Sequence, residues 1–350
     1  MYPGELREIG SCERKGSMAR KPVAVVTSAD VARLAGVSRA TVSFVLNNTQ
    51  AHRVSEATRA KVLAAADTLG YVPHAAARSL RAGRNNLVLI PAAVSAIGCL
   101  VSGWIDDLHT ELEQYGCTTV LHAGRFADPV SAARAWAELR PGAVLALDGT
   151  SLTAAGADVL RRAGVRALMA FAPQPVEGVC TVAFDDQRVG VLAARHLVAG
   201  GRRRLAVLMP QERGLSAFAA PRLAGARSVA ARTVATVTPV EMGYTYESAV
   251  ELARGWAMRD LDGVFAYNDE YAALLLRALL DEGVDVPEDV AVVGCDDLVT
   301  AALQRPPLTT IRLDLPSAAQ VAAAVHELME NGTAAPLPGV EPTLVHRRSS

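Results

Sequence analysis

The stretch "SADVARLAGVSRATVSFVLN", residues 28–47, contains two short apolar-periodic runs separated by a glycine. In the first run Val31, Ala32 and Ala35 share one helical face, and Gly36 supplies the permissive backbone that a sharp turn requires. Ser38 follows as a natural N-cap for the second run. There Val42, Val45 and Leu46 point inward at i, i+3 and i+4, which leaves Arg39, Ala40, Ser43, Phe44 and Asn47 on or near the opposite face, polar with one exposed aromatic. A third helix is predicted over "VSEATRAKVLAAADTLGY" (54–71), with Ser55 as its cap, Val62, Ala65, Ala66 and Leu69 as its apolar stripe and Gly70 as its stop. Three short helices can share one core.

Such a trio also suits a helical dimerisation module, and charge separates the two readings. Residues 1–86 carry 13 Lys+Arg against 6 Asp+Glu, a net of +7, whereas residues 87–350 carry 22 against 30, a net of -8. That asymmetry is hidden in an overall charge of -1, and it points to a polyanion at one end of the chain only. A capped second helix with outward hydrogen-bonding side chains fits the major groove of DNA, where its first turn can reach base edges.

Taken together, "DVARLAGVSRATVSFVLN" (30–47) and "VSEATRAKVLAAADTLGYVPHAAARSLRAGR" (54–84) closely resemble the head of the LacI-type family of bacterial transcription regulators, the family of the lactose and purine repressors. The resemblance implies that Ser38, Arg39, Ala40, Ser43, Phe44 and Asn47 belong to a recognition helix, and that Thr27, Ser55 and Thr58 contact phosphates. Arg39 and Ala40 take the two positions whose variation sets operator sequence in the family. Arginine can donate two hydrogen bonds to guanine, worth roughly 1–3 kcal/mol of discrimination, whereas alanine can only touch a thymine methyl; the alternative for Arg39 is a phosphate clamp. Phe44 departs from the arginine that many members carry, so it either packs on thymine methyls or buttresses the helix.

In "PHAAARSLRAGR" (73–84), Pro73 suits a first helical position and the alanines favour helix, yet one or two isolated turns are unstable in water. The resemblance makes this segment a hinge helix that orders on the operator. It gives DNA contacts to His74, Arg78 and Leu80, with Leu80 wedging into the minor groove at a cost of a few kcal/mol that bending and added contacts offset. His74 replaces the asparagine common at its position. A plain interdomain linker is the alternative.

Beyond Asn86, short apolar runs such as "NLVLIP", "CTTVLHA", "GAVLALD" and "RALMAF" alternate with amphipathic helices, the pattern of parallel βα units. The alternation resumes in "CTVAFDDQRVGVLAARHLVAGGRRRLAVLMP" and "DGVFAYNDEYAALLLRALLDEGVDVPEDVAVVGCDD", too many units for one sheet. Two Rossmann-like subdomains account for the alternation, and the resemblance implies the full fold: an N-terminal all-α helix-turn-helix headpiece with a hinge helix, then a C-terminal α/β periplasmic-binding-protein-like core of those two subdomains. Its segments are 1–26, a disordered extension; 27–72, the headpiece; 73–86, the hinge; and 87–350, with the chain crossing between subdomains near 199, 314 and 341.

In parallel sheets ligands sit beyond the carboxyl ends of the strands. "VFAYND" presents Asn268 and Asp269 there, and "VAVVGCDD" presents Asp296 and Asp297. The resemblance selects Asn268 and Asp296 as effector contacts and adds Arg222 and Tyr244, a set suited to a sugar or similar polar ring. Taken singly, Asn268 and Asp296 also suit helix caps, and Arg222 a surface charge. The loop "PAAVSAIGCLVSGW" (91–104) departs from the family pattern, so no ligand contact carries over to the first subdomain.

Enzyme readings find little support: no GxSxG, HExxH, P-loop or GxGxxG stretch occurs. The acid pairs Asp106–Asp107 and Asp185–Asp186 read as solvated helix starts. Five scattered cysteines, Cys12, Cys99, Cys117, Cys180 and Cys295, form no metal or disulfide pattern and suit a reducing cytoplasm. No apolar run is long enough for a membrane span, the N-terminus has no signal-peptide core, and Met18 is a candidate start of translation. The expectation is a cytoplasmic, homodimeric, non-enzymatic repressor without cofactor or metal. It binds a pseudo-palindromic double-stranded operator under a sugar-like effector, and no leucine-heptad tail extends the dimer to a tetramer. Its rivals are a solute-binding protein without DNA function and a sugar-handling enzyme with a fused DNA-binding head.

Overall fold

A computed structural model describes residues 26–46, 54–72, 85–92, 98–124, 126–148 and 151–350, apart from the side chains at 213 and 257. The chain divides into two units, Met1–Gly83 and Arg84–Ser350.

The first unit contains α1 (Ser28–Ala35), α2 (Arg39–Leu46) and α3 (Glu56–Leu69). Local chemistry sets their ends. Asp30 accepts hydrogen bonds from the Thr27 backbone N–H (2.9 Å) and hydroxyl (2.7 Å) ahead of α1. Gly36 ends that helix at φ 69°, a left-handed conformation open to glycine. Ser38 accepts from the Thr41 N–H at 3.1 Å and Ser55 from the Thr58 N–H at 3.3 Å, capping α2 and α3. Val31, Val42 and Val62 are fully buried with Ala32, Val45, Ala65 and Ala66, while Leu46, Leu69 and Tyr71 pack at the margin. Phe44 is half-buried rather than exposed.

The second unit is built from two parallel sheets. The first holds β1 (Leu87–Pro91), β2 (Thr118–His122), β3 (Ala143–Ala146), β4 (Ala167–Ala172) and β5 (Cys180–Ala183) in the order β2-β1-β3-β4-β5. Helices α4 (Cys99–Gln114), α5 (Pro129–Glu138) and α6 (Ala154–Arg162) connect its strands. Alternate residues face opposite layers: Val88, Ile90 and Leu145 pack with Leu108 and Leu112 of α4, whereas Leu89, Val144 and Ala146 pack with Trp136 and Leu160.

The second sheet holds β6 (Arg204–Pro210), β7 (Thr236–Met242), β8 (Gly263–Phe265), β9 (Ala291–Cys295), β10 (Thr309–Leu313) and β11 (Pro342–Val345), in the order β11-β10-β9-β8-β6-β7. Only β11 runs antiparallel, against β10. Read from β7, its first five strands repeat the order of the first sheet. Its helices are α7 (Asp186–Ala199), α8 (Ser216–Ala230), α9 (Tyr246–Arg254), the short α10 (Trp256–Arg259) and α11 (Asp269–Asp281).

The chain leaves the first sheet after β5, and Phe184 forms a bridge with Val340. Since α7 packs on the second sheet and α8, this crossing lies ahead of α7 and not near 199. After β10 the chain returns as α12 (Ala318–Asn331), which packs on α4 and β4, before β11 closes the second sheet.

Candidate functional site

On the first unit Thr27, Ser38, Arg39, Ala40 and Ser55 are exposed, while Ser43, Phe44 and Thr58 are half-buried. The N-termini of α2 and α3 each carry a hydroxyl pair, Ser38 with Thr41 and Ser55 with Thr58, both at 2.9 Å. Helix N-termini with exposed hydroxyls favour anions. Both donors of Thr27 are held by Asp30, so a phosphate contact from Thr27 requires that pair to open. Asn47, His74, Arg78 and Leu80 lie outside the described residues.

In an open α/β sheet ligands bind where the strand order reverses, beyond the carboxyl ends. In the second unit that place lies between β1 and β3 in one sheet and between β6 and β8 in the other, and both contribute to a single cavity of about 440 Å³. The first half supplies Pro91 at the end of β1 and Ala92 after it, Leu147 and Asp148 after β3, Phe171 and Phe184, with Leu100, Val101 and Trp104 from α4. The second half supplies Glu212 after β6, Tyr267 and Asn268 after β8, Asp296 after β9, and Leu313 and Leu315 at the end of β10. Phe218 and Arg222 of α8, Tyr244, and Glu270 and Tyr271 of α11 complete it. Its volume lies within the ordinary range for small-molecule sites.

All four residues selected for ligand contact, Arg222, Tyr244, Asn268 and Asp296, line this cavity. Arg222 is only 5% exposed. Its Nε donates to Asp186 Oδ1 at 2.7 Å, its Nη1 donates to the Tyr267 carbonyl at 2.7 Å, and its guanidinium lies 5.1 Å from the centre of the Tyr267 ring. Burial works against its charge, but the surrounding Cys295, Asp186, Tyr267 and Asp296 hold its pKa well above the ordinary value. Close approach of α7 to α8 makes the pair possible. A Cβ on Gly190 would overlap the Arg222 carbonyl oxygen, and one on Gly225 would overlap that of Gln187.

Asn268 both caps and lines. Its Oδ1 accepts from the Tyr271 N–H at 3.0 Å, opening α11, and its Nδ2 donates to Glu270 at 3.2 Å. Glu270 also receives the Tyr244 hydroxyl at 3.3 Å and, across the cleft, the backbone N–H and thiol of Cys99 at 3.4 and 3.2 Å. Gly98 permits this approach, since a Cβ there would lie 2.9 Å from Glu270 Oε2. Glu212 accepts the Tyr271 hydroxyl and, at 2.8 Å, the Tyr244 N–H. Burial alone would raise its pKa, but those hydrogen bonds bring it below the usual value.

Asp296 sits at φ 105°, a region few non-glycine residues adopt, of the kind that gathers at functional sites. Its N–H is held by the Ile311 carbonyl at 2.8 Å, and burial raises its carboxyl pKa against the opposing charge of Arg222. Asp269 and Asp297 point elsewhere. Asp269 accepts from the Thr310 hydroxyl (2.6 Å) and Leu298 N–H (2.8 Å), and Asp297 pairs with Arg347 at 2.6 Å.

The expectation for the acid pairs holds for Asp185, which caps α7 by accepting from the Gln187 N–H at 2.9 Å, and is corrected for the other three. Asp186 is buried as the partner of Arg222, because α7 begins against α8 rather than at the surface. Asp106 and Asp107 are exposed but lie in the middle of α4. Inspection of the sequence also missed Glu212, although it follows strand β6 as Asn268 follows β8, and the same rule points to it. The aromatic lining gave no local signal. Seven of the chain's 16 aromatic residues (six Phe, three Trp, seven Tyr) line the cavity, a concentration that marks it as a seat for a ring.

Residues 27–74 match the family described as "Bacterial regulatory proteins, lacI family", and residues 194–350 match the "Periplasmic binding protein-like domain". The HTH-type transcriptional regulator CelR of Thermobifida fusca is 35% identical over 301 residues, covering 80% of this chain and 85% of its own. The HTH-type transcriptional regulator GalR of Escherichia coli (strain K12) is 30% identical over 353 residues, covering 93% and 96%. Among solved structures, a complex of transcriptional regulator CelR with cellobiose superposes with a TM-score of 0.59 at 29% identity, covering 93% of this chain and all of that one. Among the described residues no helix is long and apolar enough to cross a membrane. The headpiece and the α/β unit thus fall where the two family matches do, and the chain belongs to the lacI family of bacterial regulatory proteins, as a DNA-binding transcription regulator.

Proposed function

We propose that this regulator is a repressor. Two copies form a homodimer that places one α2 per protomer in the major groove of a pseudo-palindromic operator, the arrangement that two-fold symmetry imposes on paired half-sites. Arg39 reads a guanine and Ala40 admits a thymine methyl, while Ser38, Ser55 and Thr58 hold phosphates at helix N-termini. Ser43, Phe44 and Asn47 complete the recognition helix, and Thr27 joins the phosphate contacts once released from Asp30. His74, Arg78 and Leu80 serve the hinge.

The observation that carries the ligand-controlled part is the convergence of Arg222, Tyr244, Asn268 and Asp296 on one cavity at two facing switch points. A ring-shaped, sugar-like effector fits its volume and its aromatic lining, and cellobiose occupies the related regulator CelR. Its binding changes the angle between the two sheets' halves and the ordering of the hinge. A coupling of roughly 1–3 kcal/mol suffices to change operator occupancy several-fold to a hundredfold. The protein acts in the cytoplasm, where its DNA is, and carries out no turnover.

Selection of duplexes bound from a random pool tests this reading. The expected product is an inverted repeat with half-sites spaced by about one helical turn. Recovery of no sequence above bulk competitor at moderate salt overturns it.

A further inference from the structure

The effector cavity has an acceptor-rich, donor-poor lining. Among the described side chains it presents four carboxylates, Asp148, Glu212, Glu270 and Asp296, and one guanidinium, Arg222. The charge of Arg222 is already met by Asp186, and two of its five N–H donors go to Asp186 and the Tyr267 carbonyl. Its neutral donors are committed to the protein: the Asn268 amide and the Tyr244 hydroxyl to Glu270, and the Tyr271 hydroxyl to Glu212. Glu270 receives four donors and has no lone pair to spare, whereas Glu212 receives two and keeps two.

Two tyrosines meet at Glu212, Tyr271 through its hydroxyl and Tyr244 through its backbone N–H. Their rings lie 5.2 Å apart, tilted by 43°, while the Tyr267 ring is already engaged by the Arg222 guanidinium. Aromatic faces beside a carboxylate form a cage for an organic cation. A polyhydroxy ligand can donate its hydroxyls to these carboxylates but brings no charge to offset theirs. A protonated amine brings only donors and lowers the cost of gathering buried carboxylates.

Resting on the reading of this cavity as the effector site, we propose that the effector is a ring compound bearing a protonated amine, held by Glu212 beside Tyr244 and Tyr271. Two bodies supply that chemistry, an amino sugar and an aromatic amine. The leucine and phenylalanine walls accept either ring, and the amine is the feature they share.

Calorimetric titration of the full-length protein at pH 7 with two matched pairs, glucosamine against glucose and tyramine against tyrosol, tests the proposal. In at least one pair the amine should bind about tenfold to a hundredfold more tightly than its neutral partner, the usual worth of a charged hydrogen bond. The pair that shows it identifies the body. Glu212→Gln should reduce the preference to within a few-fold, and Glu212→Asp should retain most of it. Equal affinities, a preference for the neutral member, or no binding of either pair overturns the proposal. None of these touches ligand control itself, which fails only if no small molecule alters affinity for the selected duplex.

Discussion

Arg39 and Arg222 are both assigned to recognition, and the two units treat them in opposite ways. Arg39 is exposed on the first turn of α2, where it gives up side-chain freedom only when DNA arrives. Arg222 is locked before any ligand arrives, by a carboxylate, a carbonyl and a tyrosine ring. The headpiece rests on a small core of valines and alanines that fixes helix directions and leaves Arg39 and Ala40 exposed. The second unit uses glycine-mediated helix contact and buried charge to preorganise its cavity, so a change in that cavity is felt by its packing. On the proposed reading, one unit adapts to a polyanion and the other discriminates among small rings.

Removing the locked arginine should produce the largest effect. Arg222→Ala strands Asp186 without its partner and should cost the second unit about 3–5 kcal/mol of stability in denaturant unfolding. Arg39→Ala should change stability by no more than about 0.5 kcal/mol. Similar losses from the two changes would break the contrast.

Next in size is a pH effect confined to the second unit. Burial raises the Asp269 pKa from 3.8 to about 7, against the opposing hydrogen bonds from Thr310 and Leu298. A raised carboxyl contributes its stability in full below the unfolded value, near pH 4, and loses it as pH rises through about 7. Asp269→Asn, which keeps the shape of the neutral acid, should therefore gain on the parent protein across that window, by up to about 4 kcal/mol. Parallel stability curves for the two proteins would show that Asp269 does not titrate there.

Arg39→Ala should lower discrimination at one base position per half-site by about 1–3 kcal/mol and leave other positions unchanged. An equal loss on every duplex would mark Arg39 as a phosphate clamp and narrow the comparison to mobility alone. Ser55→Ala, which removes the α3 cap, should cost the headpiece about 1 kcal/mol in thermal unfolding. No measurable change would show that the Ser55 hydroxyl serves DNA only.

The headpiece could be read from sequence because its signals are local. Caps at Ser38 and Ser55, stops at Gly36 and Gly70, and the valine stripe each lie within a few residues of what they control. Phe44 is the exception, half-buried where the pattern places it on the outward face. The sheets were legible from βα alternation, and Asn268 and Asp296 from their place after strands. Arg222 with Asp186 was not, because 36 residues separate them and two inconspicuous helical glycines bring them together. Glu270 likewise gains its meaning only from Cys99, 171 residues away across the cleft. Position along a strand can be read from spacing, but pairing between halves of a fold cannot.

The central claim is that occupancy of the cavity sets the affinity of the headpiece for DNA. Fluorescence anisotropy of a selected duplex, titrated with the full-length protein with and without a ligand shown by calorimetry to bind, tests it most directly. The Kd should change by about 5- to 150-fold, and the ligand's own Kd should change by the same factor when the duplex is present. An unchanged duplex affinity with the cavity saturated would contradict the account.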